Sequence, residues 1–171
     1  MPVALPSTCF LKILVFPAQY HKTMRWVMLL GLAFAPAMAD QMVAAHNAVR
    51  ARLHLPPLVW SEKLAKAAQE WADTLVKEGA FHHPAKSPWG QNLYDVTGGE
   101  FLPEQIVKGW ASEASKYDYR TNECTGMCGH YTQLVWRDTK EVGCAVARGG
   151  NREVWVCDYS PPGNYIGQRP Y

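Results

Sequence analysis

Two runs near the C-terminus decide the fold: EVGCAVAR at 141–148 and REVWVCDY at 152–159, separated by Gly149-Gly150-Asn151. Each run alternates in the manner of a β-strand, and Gly150-Asn151 suits a two-residue hairpin loop. If Gly149 opposes Arg152, facing residues have numbers that add to 301, and Cys144 faces Cys157. Counting outward from the turn, that pair falls at a non-hydrogen-bonded position, where Cα atoms lie about 4.5 Å apart. A disulfide tolerates such a separation. One face of the hairpin then carries Val142, Cys144, Val146, Trp155, Cys157 and Tyr159, and the other Ala145, Ala147, Val154 and Val156. Both faces are apolar, so the antiparallel sheet is covered on both sides. The cover available is helical, which gives an α+β, three-layer α-β-α sandwich.

Working back from the hairpin, Met42, Val43, His46, Val49 and Leu53 recur at helical spacing over residues 41–53, and Leu55-Pro56-Pro57-Leu58 ends that helix. Ser61 can cap a second helix, with Leu64, Ala67, Ala68, Trp71 and Leu75 on one face and Gly79 as its stop. Residues 80–101 read as a loop with a short extended piece at Asn92–Val96. Pro103 suits the first turn of a third helix. Ile106, Trp110 and Glu113 share its stripe, so Glu113 is expected to point inward.

The N-terminus reads as an address. Arg25 precedes an apolar run, Trp26–Ala35, that ends in Pro36-Ala37-Met38-Ala39, the pattern of a secretory signal peptide cut after Ala39. The run is too short to span a bilayer as a folded anchor. Met24 is read as the start, and residues 1–23, with Cys9, are set aside. Residues 40–171 then form a single exported domain, taken as a monomer, outside the cell or in a periplasm. The 171-residue chain has 17 basic and 15 acidic residues. Residues 1–39 hold Lys12, Lys22 and Arg25 and no acid, so 40–171 carries 14 basic and 15 acidic residues. That balance gives no support to a nucleic-acid-binding surface. Four cysteines remain after Cys9: Cys124, Cys128, Cys144 and Cys157. In an oxidising compartment an even count reads as two disulfides. With Cys144–Cys157 set by the hairpin, Cys124–Cys128 follows by elimination.

Four polar residues could carry chemistry: His83, Gln91, Glu113 and His130. His83 follows the second helix, Gln91 follows Trp89-Gly90, and His130 follows Cys128-Gly129. Two imidazoles and a carboxylate on anchored segments could hold a divalent metal or act as acid and base. The same residues equally describe a structural hydrogen-bonded network, which spacing alone favours. No G-x-S-x-G elbow or P-loop occurs, and paired cysteines leave no thiol nucleophile. Ser112 and Ser115 read as solvent-facing. Trp71, Trp110 and Trp155 read as core, whereas Trp89 could line a cleft.

Gly129-His130-Tyr131-Thr132-Gln133-Leu134-Val135-Trp136-Arg137 resembles the first signature of the CAP superfamily, also called SCP-like. This superfamily takes in cysteine-rich secretory proteins, antigen five and pathogenesis-related proteins of group one. The segment 154–165, Val-Trp-Val-Cys-Asp-Tyr-Ser-Pro-Pro-Gly-Asn-Tyr, is similar to its second signature. His46-Asn47-x-x-Arg50, Pro57-Leu58-x-Trp60 and Trp71-Ala72 resemble its first two helices, so the likeness spans essentially all of 40–171. The ending Gly163–Tyr171 is closest to the plant-type and bacterial branch. The resemblance implies the same α-β-α sandwich and a cleft holding two histidines and two acids. Carried over, these are His83, His130 and Glu113, with Gln91 where the family often has the glutamate of G-E-N-L. Glutamine cannot ionise, so the expected site has one carboxylate. Plant-type members usually have three disulfides, one more than the cysteines here allow.

Besides a structural or defence-type extracellular protein whose cleft is vestigial, two functions compete. One is an extracellular binding module for a lipid, a sterol or another protein. The other is a metal-assisted hydrolase or protease, with His83 and His130 holding zinc, Glu113 activating water and Gln91 orienting substrate. The reading favours binding, because a hydrolase using paired acids should not tolerate Gln91.

Overall fold

The structure, a computed structural model, describes residues 37–171. The start assigned to Met24 and the signal peptide as far as residue 36 lie outside the described residues. The cut expected after Ala39 falls in the first turn of helix α1, Met38–Ala51.

The hairpin forms in the expected register. Strands β5 (Glu141–Gly149) and β6 (Arg152–Ser160) pair with Gly149 opposite Arg152 and Cys144 opposite Cys157. The other strands are β1 (Val59–Trp60), β2 (Gly90–Thr97), β3 (Tyr117–Asp118) and β4 (Glu123–Cys124). The main sheet has the order β1-β5-β6-β2. β2 joins β6 antiparallel, but β1 joins β5 parallel. The sheet is therefore mixed at one edge rather than wholly antiparallel, because the chain enters β1 from a helix instead of a hairpin. β3 and β4 form a separate two-stranded ribbon.

The two apolar faces of the hairpin go where the sequence sends them. Ala145, Ala147, Val154 and Val156 pack with Ala68, Ala72 and Leu75 of α2 (Glu62–Glu78). Val142, Cys144, Trp155, Cys157 and Tyr159 pack with Met42 of α1, Ile106 and Trp110 of α3 (Pro103–Ala111), and Leu134 of α4 (Gly129–Leu134). One helix covers one face and three cover the other. The α2 layer lies close to the strand. A Cβ on Gly143 would run into the backbone of Ala65 and Ser61, so only glycine lets α2 approach here.

Local sequence explains the helix ends. Gly79 ends α2 in the left-handed conformation, φ 64°, with the Ala80 amide bonded to Leu75 O at 3.0 Å. Ser61 occupies the N-cap of α2, but its hydroxyl makes no cap bond. At α3 the Gln105 side chain accepts from the Leu102 amide at 2.8 Å. Among the described residues no helix is long and apolar enough to cross a membrane.

Both disulfides form between the expected partners, Cys124–Cys128 and Cys144–Cys157. The Cα atoms of Cys144 and Cys157 are 4.1 Å apart, as the narrow cross-strand pair requires.

Candidate functional site

The site begins at the start of β2. Its extended piece is longer than the sequence suggests and includes Gly90 and Gln91. Pairing places Gln91 opposite Asp158 and Asn92 opposite Cys157. Opposed residues share a face, so Gln91 and Asp158 lie on the side of Leu93 and Val156, the α2 side. Asn92 points the other way. It donates to Tyr159 Oη at 3.2 Å and to the His130 carbonyl at 3.1 Å.

His83 reaches Gln91 from the loop after α2, with Nδ1 2.9 Å from Gln91 Oε1. Gln91 Nε2 then donates to Asp158 Oδ1 at 2.9 Å. His82 turns away to meet the Trp71 ring edge-on, with centroids 5.4 Å apart.

His130 comes from the opposite layer, near the start of α4. That helix is entered from Cys128, tied by its disulfide to Cys124, and the Cys128 side chain makes no cap bond. Glu113 does the capping from elsewhere in the chain. It stands on a 3-10 turn, Ser112–Lys116, rather than on α3 itself. Glu113 Oε2 accepts from the amides of His130 at 3.0 Å and Tyr131 at 3.3 Å. Glu113 Oε1 lies 2.7 Å from His130 Nδ1. A carboxylate at a helix N-terminus satisfies donors that the helix leaves open. The Trp110 indole stacks near the His130 ring, with centroids 6.2 Å apart.

His83 and His130 line one cleft of about 260 Å³, with Gln91, Asn92, Met127, Gly129 and Asn164. Glu113 lies behind His130 and is not in the lining. Trp89 is also outside it, beneath the Lys63 ammonium 4.9 Å from its ring. Each histidine has Nδ1 bound to an oxygen, leaving Nε2 as the nitrogen available to a ligand. Among the described residues, three metal-type donors come mutually within 4.8 Å only at His46, Cys144 and Cys157. Those two sulfurs are bonded to each other. His83, His130 and Glu113 make no such triad.

Asp158 is the site residue that the sequence reading missed. It is 2 % exposed, and burial pushes its carboxyl up to about 6, against the Gln91 hydrogen bond that pulls it down. The expectation of one carboxylate is thus corrected: a second stands on the neighbouring strand, directly behind Gln91. Its link to Gln91 depends on the pairing of β2 with β6, 67 positions apart in sequence. The period-two pattern of 152–159 could have placed Asp158 on the face of Val154 and Val156, but not beside Gln91.

An α-β-α sandwich with a histidine from each layer lining one cleft beside β2 defines the class of protein. The chain belongs to the cysteine-rich secretory protein family (CAP), which it matches over residues 43–159. It is 38% identical over 148 residues to pathogenesis-related protein 1 of Arabidopsis thaliana, covering 84% of this chain and 91% of that protein. It is 40% identical over 136 residues to pathogenesis-related protein PR-1 of Medicago truncatula, covering 77% and 78% of the two chains. Among solved structures, venom allergen-like protein 4 of Schistosoma mansoni superposes with a TM-score of 0.67 at 27% identity, covering 80% of this chain and 95% of the other. These relationships make it an extracellular CAP-domain protein.

Proposed function

We propose that this protein is an extracellular binding module for an amphiphile, a single-chain lipid or a sterol, held between α1 and α3. The observation that carries this reading is a groove of about 620 Å³ between those helices. Its walls are small and apolar: Ala44, Ala45, Ala48 and Val49 from α1, and Val107 and Ala111 from α3. Ala44 and Ala48 are exposed on α1, and Leu102 at the mouth is 62% exposed. Gln41, Arg52, Glu104 and Lys108 complete the lining, so an acyl body with an acidic head matches it. Labelled fatty acid and sterol, titrated against the secreted protein, should saturate near one ligand per chain. Ala48→Trp, which fills the groove, should abolish that binding. A linear, non-saturating response, or equal binding by the Trp variant, would overturn the reading in favour of a protein partner.

The cleft supports a second ligand, a divalent metal such as zinc, with His83 and His130 as the protein ligands. Two imidazoles whose other nitrogens are tied to oxygen are a suitable donor set. Zinc there would supply Lewis-acid chemistry. A hydrolytic role has less support, because both Glu113 oxygens are engaged with His130 and Tyr131, so that Glu113 is poorly placed to activate water. Calorimetric zinc titration of the protein beside His83→Ala and His130→Ala tests the site. Equal weak binding by all three would remove it.

A further inference from the structure

We propose that Asp158 is a positioning residue of the cleft, which acts through the Gln91 amide to fix which ring nitrogen His83 turns to a ligand. The inference builds on the reading of the cleft as a ligand site, but its own basis is a polarity argument. An ionised carboxylate only accepts hydrogen bonds. Asp158 Oδ1 lies 2.9 Å from the Gln91 amide, so that end must be the NH2 group. The amide's other end, the carbonyl, then faces His83 Nδ1 at 2.9 Å and can only accept. His83 must therefore carry its proton on Nδ1, which leaves the Nε2 lone pair open. His130 reaches the same state by a shorter route, since Glu113 Oε1 lies 2.7 Å from its Nδ1. The two rings thus present the same kind of nitrogen, one held directly by a carboxylate and one through an amide.

The relay also gives Gln91 a reason to be neutral. A glutamate at this position could accept from His83 by itself, but it would face Asp158 directly across the β2–β6 pair. Two carboxylates that close, one of them buried, resist ionising together. Glutamine passes on the polarity of Asp158 without adding a second charge. Position 91 is then not a lost acid. The acid stands on the neighbouring strand.

The test reads the proton on His83 directly, by nitrogen-15 NMR of histidine-labelled protein at pH 8, with His83→Gln to assign the signal. Wild type should show His83 in the Nδ1–H form. Asp158→Asn is isosteric and removes a buried charge, so the fold should survive. Its amide can offer N–H to Gln91 and let the glutamine turn over, so His83 should move towards the Nε2–H form. Combining Asp158→Asn with Gln91→Glu should restore the Nδ1–H form, because a carboxylate at position 91 can accept from both neighbours. His130, set by Glu113, should keep its tautomer throughout and reports that the fold is intact. Zinc affinity should fall about 10- to 100-fold in Asp158→Asn, the usual range for loss of an orienting partner, and recover in the double variant. An unchanged His83 tautomer in Asp158→Asn, or no restoration in the double variant, would overturn the relay. A tautomer that responds as expected in a protein that binds no zinc would keep the relay and remove only the metal reading.

Discussion

Glu113 holds His130 at two points at once, by the ring at Nδ1 and by the backbone amide. The same carboxylate caps α4 and orients the imidazole, so neither can shift without the other. Glu113→Gln keeps the shape but has one accepting atom instead of two. The helix amides cannot accept, so the Gln carbonyl stays with them and the NH2 group turns to the ring, which accepts at Nδ1 by carrying its proton on Nε2. We expect a loss of about 1 kcal/mol in urea unfolding, as for a weakened cap, together with a changed His130 tautomer. Ser112→Ala, on the same turn, should leave that tautomer unchanged.

Arg50 is a fully buried charge with no carboxylate partner among the described residues. It donates instead to the carbonyls of Pro56, Leu134, Trp136 and Thr139 at 2.8–3.3 Å. Leu134 and Trp136 lie at the C-terminal end of α4, where the helix dipole favours a cation. Burial still pulls the guanidinium down to about 10. Its planar fork joins α1, the following loop and the α4 exit. Arg50→Lys carries the charge but cannot spread over the same acceptors. Arg50→Ala should cost about 3–5 kcal/mol by leaving buried acceptors open, and Arg50→Lys should recover less than half of that, read from urea midpoints.

The two disulfides should separate stability from site geometry. Cys144–Cys157 closes the larger loop, with a sequence separation of 13 against 4 for Cys124–Cys128. In the chain-entropy description it contributes about 3 kcal/mol. Replacing Cys144 and Cys157 with alanine should lower stability by that order and leave the His83 and His130 tautomers unchanged. Replacing Cys124 and Cys128 should cost less stability but loosen the entry to α4, and so disturb the His130 signals more.

The parts legible in the sequence were those governed by local period and turn chemistry. The hairpin register followed from Gly150-Asn151 and fixed Cys144 opposite Cys157, and the alternating faces gave the two layers of cover. Glu113 pointed inward as its spacing with Trp110 implied, although it does so from a 3-10 turn. Non-local pairings were less accessible. β1 has two residues, too few to show a pattern. Gln91 and Asp158 are neighbours only because β2 lies along β6, and polar residues at the start of β2 hide where its pairing begins. The expected single-carboxylate site failed for that reason.

His46 provides a switch in acid stability with a sign opposite to that of Asp158. Its ring is fully buried, with Nδ1 donating to Met42 O at 2.7 Å and Nε2 accepting from Tyr159 Oη at 2.9 Å. Burial pulls it down to about 4, and the Arg50 charge adds to this against the Met42 bond. A histidine depressed in the folded state stabilises the protein above its unfolded value, about 6.5, and loses that contribution as pH falls through 4. The full swing is on the order of 3 kcal/mol. Asp158 is raised to about 6 from 3.8, so its contribution is present below 3.8 and is lost as pH rises through 6. The two effects oppose each other across the same window, and the wild-type curve shows only their resultant. Urea midpoints at pH values of about 7 and about 4.5, the first above the His46 window and the second well inside it, should separate them. The stability of His46→Gln relative to wild type should rise on acidification, and that of Asp158→Asn should fall. A difference that does not change with pH in the His46 variant would mean that the ring titrates alike in the folded and unfolded states.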